Sequence, residues 1–268
     1  MSNQAHLRGR IFITCSIQAV TGLHIGGSST GLEIGGVDNT IIRDALSGAP
    51  YIPGSSLRGK MRSQLEKTLG KPQNYQIGDR VHIHCCDNSQ SYFDNEGCPI
   101  CHIFGVPGDT EKKIPEVNPT NLIVRDAPLT EASKKDLEKA HTDLKYTEVK
   151  TEVAIDRVTS APTPRTLERV PAGAVFGPAE LVFSIYQPAD FNRLRHVVDG
   201  LQLLEDDYLG GYGSRGSGKV RFAEIQVTAR SSQSYSQLQT FQTFAALKDL
   251  EAAFNDLLNW SKKVIPIS

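Results

Sequence analysis

Ile11-Phe-Ile-Thr-Cys-Ser-Ile-Gln-Ala19 puts Ile11, Ile13, Cys15, Ile17 and Ala19 on one side of an extended chain and Phe12, Thr14, Ser16 and Gln18 on the other. Alternation with a period of two marks a half-buried β-strand, with Cys15 as a core residue. Beyond a glycine-rich stretch, Ser55 or Ser56 can cap a helix whose apolar stripe is Leu57, Met61, Leu65 and Leu69, flanked by Arg58, Lys60, Arg62 and Lys67. From Lys71 to about Pro119 the periodicity is lost in a polar, Cys/His-bearing insertion, and Asn121 to Arg125 resumes a short apolar strand. Pro128 to about Lys145 is charged and helical or mobile. Thr147–Ile155 and Thr166–Val175 then form two arms around Thr159-Ser-Ala-Pro-Thr-Pro164, a hairpin with a proline-stiffened tip. Leu181–Tyr186 is a strand, Phe191, Leu194, Val197, Val198, Leu201 and Leu204 stripe a helix, and Val220, Phe222, Ile225 and Val227 mark a closing strand. This order predicts an α+β fold, a ferredoxin-like β-α-β-β-α-β unit. The expectation is a single domain over 1–268 with insertions at 71–119 and 128–172. Leu238, Phe241, Phe244, Leu247, Leu250, Phe254 and Leu257 recur at three or four residues and predict a C-terminal helix over 236–262.

At 268 residues and 39% hydrophobic content, the chain can build one sizeable core without staples. A formal net charge of −1 excludes a molecule that is basic overall, so any binding of nucleic acid must come from local clusters. The N-terminus has no apolar run after a basic start, and no stretch approaches the roughly 18 apolar residues of a membrane span. The expectation is a cytoplasmic protein with no membrane partner. Five cysteines are an odd number, and four of them lie between Cys85 and Cys101 beside histidines. That suits metal ligation in a reducing compartment better than disulfides.

Some motifs mislead. Gly213-Ser-Arg-Gly-Ser-Gly-Lys219 imitates part of a P-loop, but Val220 stands where a magnesium-binding hydroxyl belongs, and a helix precedes and a strand follows, the reverse of what the motif needs. Gly211-x-Gly213-x-x-Gly216 fails as a dinucleotide fingerprint for the same reason. Such a run can instead bring backbone amides, Arg215 and Lys219 against phosphates. His82-Ile-His84-Cys85-Cys86 followed by Cys98-Pro-Ile-Cys101 offers soft ligands at the spacing of a structural zinc knuckle. His82, His84, Cys85 and Cys86 supply more donors than the first half needs; the expected set is His84, Cys86, Cys98 and Cys101. Near the front, Gly22-Leu-His-Ile-Gly-Gly27 and Glu33-Ile-Gly-Gly-Val-Asp-Asn-Thr40 place His24 and Asp38 among glycines, where backbone and a lone carboxylate can approach a phosphate chain closely.

These segments, with Tyr51-Ile-Pro-Gly-Ser-Ser-Leu-Arg-Gly-Lys60, Ile155 to Phe176 and Leu209 to Val220, resemble the RAMP-superfamily backbone subunit of type III CRISPR effector complexes, most closely the Csm type. The matching motifs run in order from Gly22 to Val220. The resemblance implies an RRM-like core with a zinc-bearing lid insertion and a β-hairpin thumb insertion, copies of which stack as a helical filament along a CRISPR RNA beside other type III effector subunits. It also implies regularly spaced cutting of the complementary target RNA. By it, Asp38 is required for cutting, and Ser55, Ser56, Arg58, Lys60 and Arg62 hold guide phosphates. The thumb is matched by Ile155 to Val170, bearing Arg157, Arg165 and Arg169. Arg215 and Lys219 sit in a glycine-rich loop that touches the guide, and His24 is taken as a further RNA-binding residue.

RNA carries its own nucleophile. A 2′-hydroxyl attacks the adjacent phosphate once the attacking and leaving oxygens are in line, which A-form geometry forbids and an inserted thumb permits. Unstacking costs on the order of 1–3 kcal/mol per base, which thumb cations can offset through phosphates. Asp38 would ligate Mg2+ or Mn2+, the preferred role, or accept the hydroxyl proton. Competing expectations are a guide-binding filament subunit that does not cut and a zinc-stabilised RNA-binding module acting alone; the near-neutral charge speaks against the latter.

Overall fold

The computed structural model describes residues 5–27, 39–93, 97–107 and 119–267. In chain order the elements are β1 (Gly9–Ala19), β2 (Tyr51–Ile52), α1 (Gly54–Thr68), β3 (Tyr75–Ile77), β4 (Val81–Ile83), α2 (Ser89–Phe93), α3 (Pro99–Phe104), β5 (Leu122–Val124), β6 (Ala127–Pro128), α4 (Glu131–Lys139), β7 (Glu148–Ile155), β8 (Pro162–Arg169), β9 (Val175–Ile185), α5 (Ala189–Asp206), β10 (Val220–Ser231), β11 (Gln239–Ala246), α6 (Leu247–Ala252) and α7 (Phe254–Val264). Ile11, Ile13, Cys15, Ile17 and Ala19 are all buried, as the alternation requires. Burial pushes the Cys15 thiol up to about 12, with Glu205 adding to the effect, so it is an inert core group.

The main sheet runs β11-β10-β1-β9-β5 with every pair antiparallel. Leaving out β11, the sequence β1-α1-β5-β9-α5-β10 is the expected β-α-β-β-α-β order, with β1 and β9 at the centre. Helices α1 and α5 pack together at Gly200, where a Cβ would lie 3.1 Å from Leu65 and 3.3 Å from Met61. One buried cluster extends from Ile11 to Ile265 and takes in Ile100, Ile103 and the ligand cysteines, so the Cys/His segment rests on the same core.

The closing strand breaks alternation between Phe222 and Ile225 because of a bulge. Thr14 pairs with Gln226 but Ser16 with Ala223, and Glu224 takes a positive φ of 53°. The extra residue resets the phase, and both Phe222 and Ile225 face the core. A second shift, between Cys15 and Ile17 on β1, lets β9 start at Val175 rather than Leu181, carrying Gly177 and Pro178 through the sheet.

Three expectations are corrected. First, neither Ser55 nor Ser56 caps α1: Pro53 is the N-cap, and the Asp126 carboxylate accepts from the Gly54 amide at 2.7 Å. The chain enters the helix early because Gly54 lies hard against β5, where a Cβ would come 2.2 Å from the Val124 carbonyl. Second, the hairpin is not tipped by prolines. Pro162 and Pro164 lie inside β8, opposite Ile155 and Val153. Two residues apart, they share one orientation, with the missing N–H groups turned away from β7. The tip is stiffened instead by Asp156, whose Oδ1 accepts from the Val158 amide at 3.0 Å, the Thr159 amide at 2.6 Å and the Thr159 hydroxyl at 2.8 Å. Third, 236–262 is not one helix. Residues 239–246 form β11, which completes the sheet beside β10, and α6 and α7 follow. The Thr- and Phe-rich stretch favours the pleated edge, and Phe244 is buried there, so tertiary pairing overrides a three-residue spacing.

Candidate metal centre and nucleic-acid interface

Two segments outside the sheet build the candidate metal centre. Residues after β4 bring His84 and Cys86; the turn into α3 brings Cys98 and Cys101. The four ligand atoms lie within 4.8 Å of one another, and all four residues are buried. His84 Nε2 is 3.8 Å from Cys86 Sγ and 3.3 Å from Cys98 Sγ. Zinc bonds of about 2.1 Å to nitrogen and 2.3 Å to sulfur give a tetrahedral edge of about 3.6 Å, so the donor set fits that ion. Nδ1 of His84 bonds the Pro72 carbonyl at 2.9 Å, which fixes the ring and turns Nε2 towards the thiols. The hydrogen bonds to Cys86 and Cys98 push His84 up to about 10. Bonds from Cys101 and Cys86 push the Cys98 thiol down, and bonds to Cys86 and Cys98 push that of Cys101 up. His82 is exposed and outside the group, and the Cys85 thiol turns to the Cys86 carbonyl at 3.4 Å.

The second constellation gathers around the root of the β7–β8 hairpin. Leu23 bridges Val170, Asn39 bridges Leu167, and the Gly27 amide meets the Thr40 carbonyl at 3.1 Å. Glu168 ties these pieces together. Its carboxylate accepts from the Ile41 amide at 3.0 Å and the Thr147 hydroxyl at 2.6 Å and pairs with Arg43. Its carbonyl bonds His24 Nδ1 at 2.6 Å, and its amide donates to the Asn39 carbonyl at 3.0 Å. Burial alone would raise this carboxyl; the Thr147, Ile41 and Arg43 contacts hold it below the usual range. Asp38 lies outside the described residues, but its neighbour Asn39 is fixed to the hairpin root. On the other side, the Gly211 amide bonds the His24 carbonyl at 2.8 Å and the Gly218 amide bonds the Gly22 carbonyl at 2.9 Å. The stretches around Gly22–Gly27 and Gly211–Gly218 therefore meet at one place, with Asn39 and Thr40 beside them.

His24 is a buried brace between these loops, its ring set edge-on against Tyr212 at 5.0 Å. Ser55 is exposed and Ser56 half-buried at the start of α1. Lys60 pairs with Asp207 at 2.8 Å and lies 3.6 Å from the Tyr208 ring centre. Arg58 donates to the Phe104 carbonyl at 2.6 Å, and Arg62 reaches the His84 carbonyl at 2.6 Å and Glu66 at 2.8 Å. On the hairpin, Arg157 and Arg165 are exposed. Glu152 takes Lys150 at 3.1 Å, Arg215 at 3.1 Å and Arg165 at 3.7 Å, and Arg169 pairs with Glu148 at 2.6 Å. Lys219 is exposed next to this loop. Sequence reasoning missed Asp126, Glu66, Glu152 and Glu168, acids whose partners lie far away in the chain or one helical turn back. The i,i+4 spacing of Arg62 and Glu66 was the one local signal.

A family model described as the RAMP superfamily matches residues 16–221. The chain belongs to the RAMP superfamily. This RAMP chain is 41% identical over 233 residues to the CRISPR system Cms endoribonuclease Csm3 of Methanocaldococcus jannaschii, covering 85% of each chain. Its counterpart in Methanothermobacter thermautotrophicus is 39% identical over 252 residues, covering 89% of this chain and 95% of the relative. Among solved structures, the Csm3-Csm4 subcomplex of the type III-A CRISPR-Cas interference complex contains a chain 30% identical with a TM-score of 0.57, covering 94% of this chain and 97% of that one. The Methanopyrus kandleri Csm3 crystal structure, 21% identical at a TM-score of 0.62, covers 95% of this chain and 98% of that one and shares the fold. Together they make this a Csm-type member of the superfamily. No helix among the described residues is long and apolar enough to cross a membrane.

Proposed function

We propose that this chain is the CRISPR RNA-binding backbone subunit of a cytoplasmic type III effector complex and an endoribonuclease that cleaves the complementary target RNA. Copies would line the guide as a helical filament beside other effector subunits, each presenting one cutting site, so that cuts fall at regular intervals. The endoribonuclease function of its Csm3 relatives supports this reading. The observation that carries the site is the attachment of Asn39 to Leu167 and Glu168, which tethers the end of the aspartate loop to the hairpin root.

In this reading the β7–β8 hairpin is the thumb. Its Asp156-organised tip carries exposed Arg157 and Val158 and displaces a nucleotide from the guide–target duplex. Residues 71–119 form the lid, with zinc held by His84, Cys86, Cys98 and Cys101 as a structural ion. Ser55, Ser56, Arg58 and Lys60 face guide phosphates, Arg165 and Arg169 line the thumb, and Arg215 and Lys219 contribute from the glycine-rich loop. Asp38 would serve the displaced linkage by holding a divalent Mg2+ or Mn2+, which would supply stabilisation of charge on the phosphate for 2′-hydroxyl attack. Replacing Asp38 with Ala in the assembled complex is expected to abolish cleavage while leaving guide content intact, and the wild-type upstream fragments should end in a cyclic phosphate. Unchanged cleavage by that variant would make the subunit a scaffold that does not cut; a free 3′-hydroxyl would reject 2′-hydroxyl attack.

A further inference from the structure

Glu66 is the acid most deeply set beside the metal centre, 2% exposed and on the face of α1 turned towards the Cys/His segment. A carboxylate this buried is tolerated only when its oxygens are occupied by donors. Here Oε1 receives Arg62 Nε at 2.8 Å and the main-chain amide of His84 at 3.0 Å. Arg62 completes the grip from the other side, with Nη2 donating to the His84 carbonyl at 2.6 Å. One ligand residue is thus held by both of its peptide groups from adjacent turns of a single helix. Arg62 Nη1 lies 3.5 Å and 3.4 Å from the Phe104 and Gly105 carbonyls, where α3 ends, and Arg58 bonds that same Phe104 carbonyl at 2.6 Å. Both ligand-bearing segments therefore hang on α1. The Arg62 side chain is 12% exposed, and all three of its nitrogens already face protein acceptors.

We infer that Arg62 and Glu66 form a main-chain clamp on His84 that positions the Cys/His centre for its metal, and that Arg62 is a positioning residue of that centre and not a contact to guide phosphate. The inference rests on the proposed zinc site. An arginine in this position is not exchangeable for lysine, because a point charge cannot span the carboxylate and the carbonyl together. Outer-shell partners of this kind typically govern metal affinity by about 10–100-fold.

The test uses the full chain as wild type, Glu66→Gln, Arg62→Lys, the double variant of these two, and Arg62→Gln. Each is loaded with Zn2+ and challenged with a chromogenic chelator, and binding of a single-stranded RNA is followed across a series of KCl concentrations. Expected are a loss of zinc affinity of about 10–100-fold in each single variant and little further loss in the double, since the pair acts as a unit. Arg62→Gln, which removes the charge, should keep the wild-type salt dependence of RNA binding. Full zinc retention in Arg62→Lys and Glu66→Gln overturns the clamp; so does a salt slope in Arg62→Gln that is shallower by about 0.7, the mark of one lost phosphate contact. Should Glu66→Gln fail to fold, Arg62→Lys decides alone. Wild-type protein that takes up no zinc overturns the metal reading itself, and the clamp with it.

Discussion

Two excursions leave the same sheet and are held by opposite means. The β7–β8 hairpin pairs along all eight positions of each strand, yet most of its side chains are exposed, including Val153, Ile155 and Val158. Among its described residues the Cys/His segment has three-residue strands and helices of five and six residues, yet His84, Cys86, Cys98, Cys101 and Tyr92 are buried in it. A ladder of backbone bonds keeps one in shape, while the clustered His84, Cys86, Cys98 and Cys101 and the contacts of Arg62 and Glu66 to His84 gather the other. A two-stranded ribbon standing alone is marginal in water, so the hairpin depends on its root; the Cys/His segment depends on its centre.

With the proposed zinc bound, its removal should give the largest difference between the two. Chelation is expected to release amide exchange protection throughout 82–86 and 98–104 while leaving β7 and β8 unaltered, as hydrogen-exchange mass spectrometry would register. Cutting the hairpin root comes next. Glu168→Ala strips the acceptor from Arg43, Thr147 and the Ile41 amide and should cost about 3 kcal/mol in a denaturant titration. The pH dependence of that residue sharpens the point. Its folded pKa is lowered, so its contribution is complete above the ordinary glutamate value of about 4.3 and is lost as pH falls through the depressed folded value. Glu168→Gln should accordingly flatten the acid limb of a stability–pH curve. The smallest effect belongs to the ribbon's own surface: Arg165→Ala removes an exposed pair with Glu152 and should change stability by less than about 1 kcal/mol.

The sheet was legible because its signals are local. Ile11 to Ala19 alternate cleanly, the stripe of α5 has helical spacing, and the order of elements fixed the strand arrangement. The Cys98-x-x-Cys101 pair was equally local, and from a run offering four donors the structure brings His84 and Cys86 beside it. What stayed hidden depended on distant partners. Phe241 and Phe244 are spaced as on a helix, and only the unpaired edge of β10 turns them into a strand. Pro162 and Pro164 looked like turn residues because nothing in the sequence reveals which side of a ribbon is unpaired. Arg62 was expected among the guide-phosphate contacts, and its bond to the His84 carbonyl left no sign in the sequence because His84 lies across an irregular stretch. Asp126 showed no sign of caging the first amide of α1.

The central position of β1 carries a consequence for how the molecule is made. Ile13 sits opposite Leu181 on one side and Val227 on the other, so β1 finds both neighbours only after more than 200 further residues, through β10, have been synthesised. Pairings this distant in sequence slow folding and prolong the exposure of apolar strand edges. A nascent chain released before Ser231 would carry Ile11, Ile13 and Ile17 unpaired on one side, a template for aggregation.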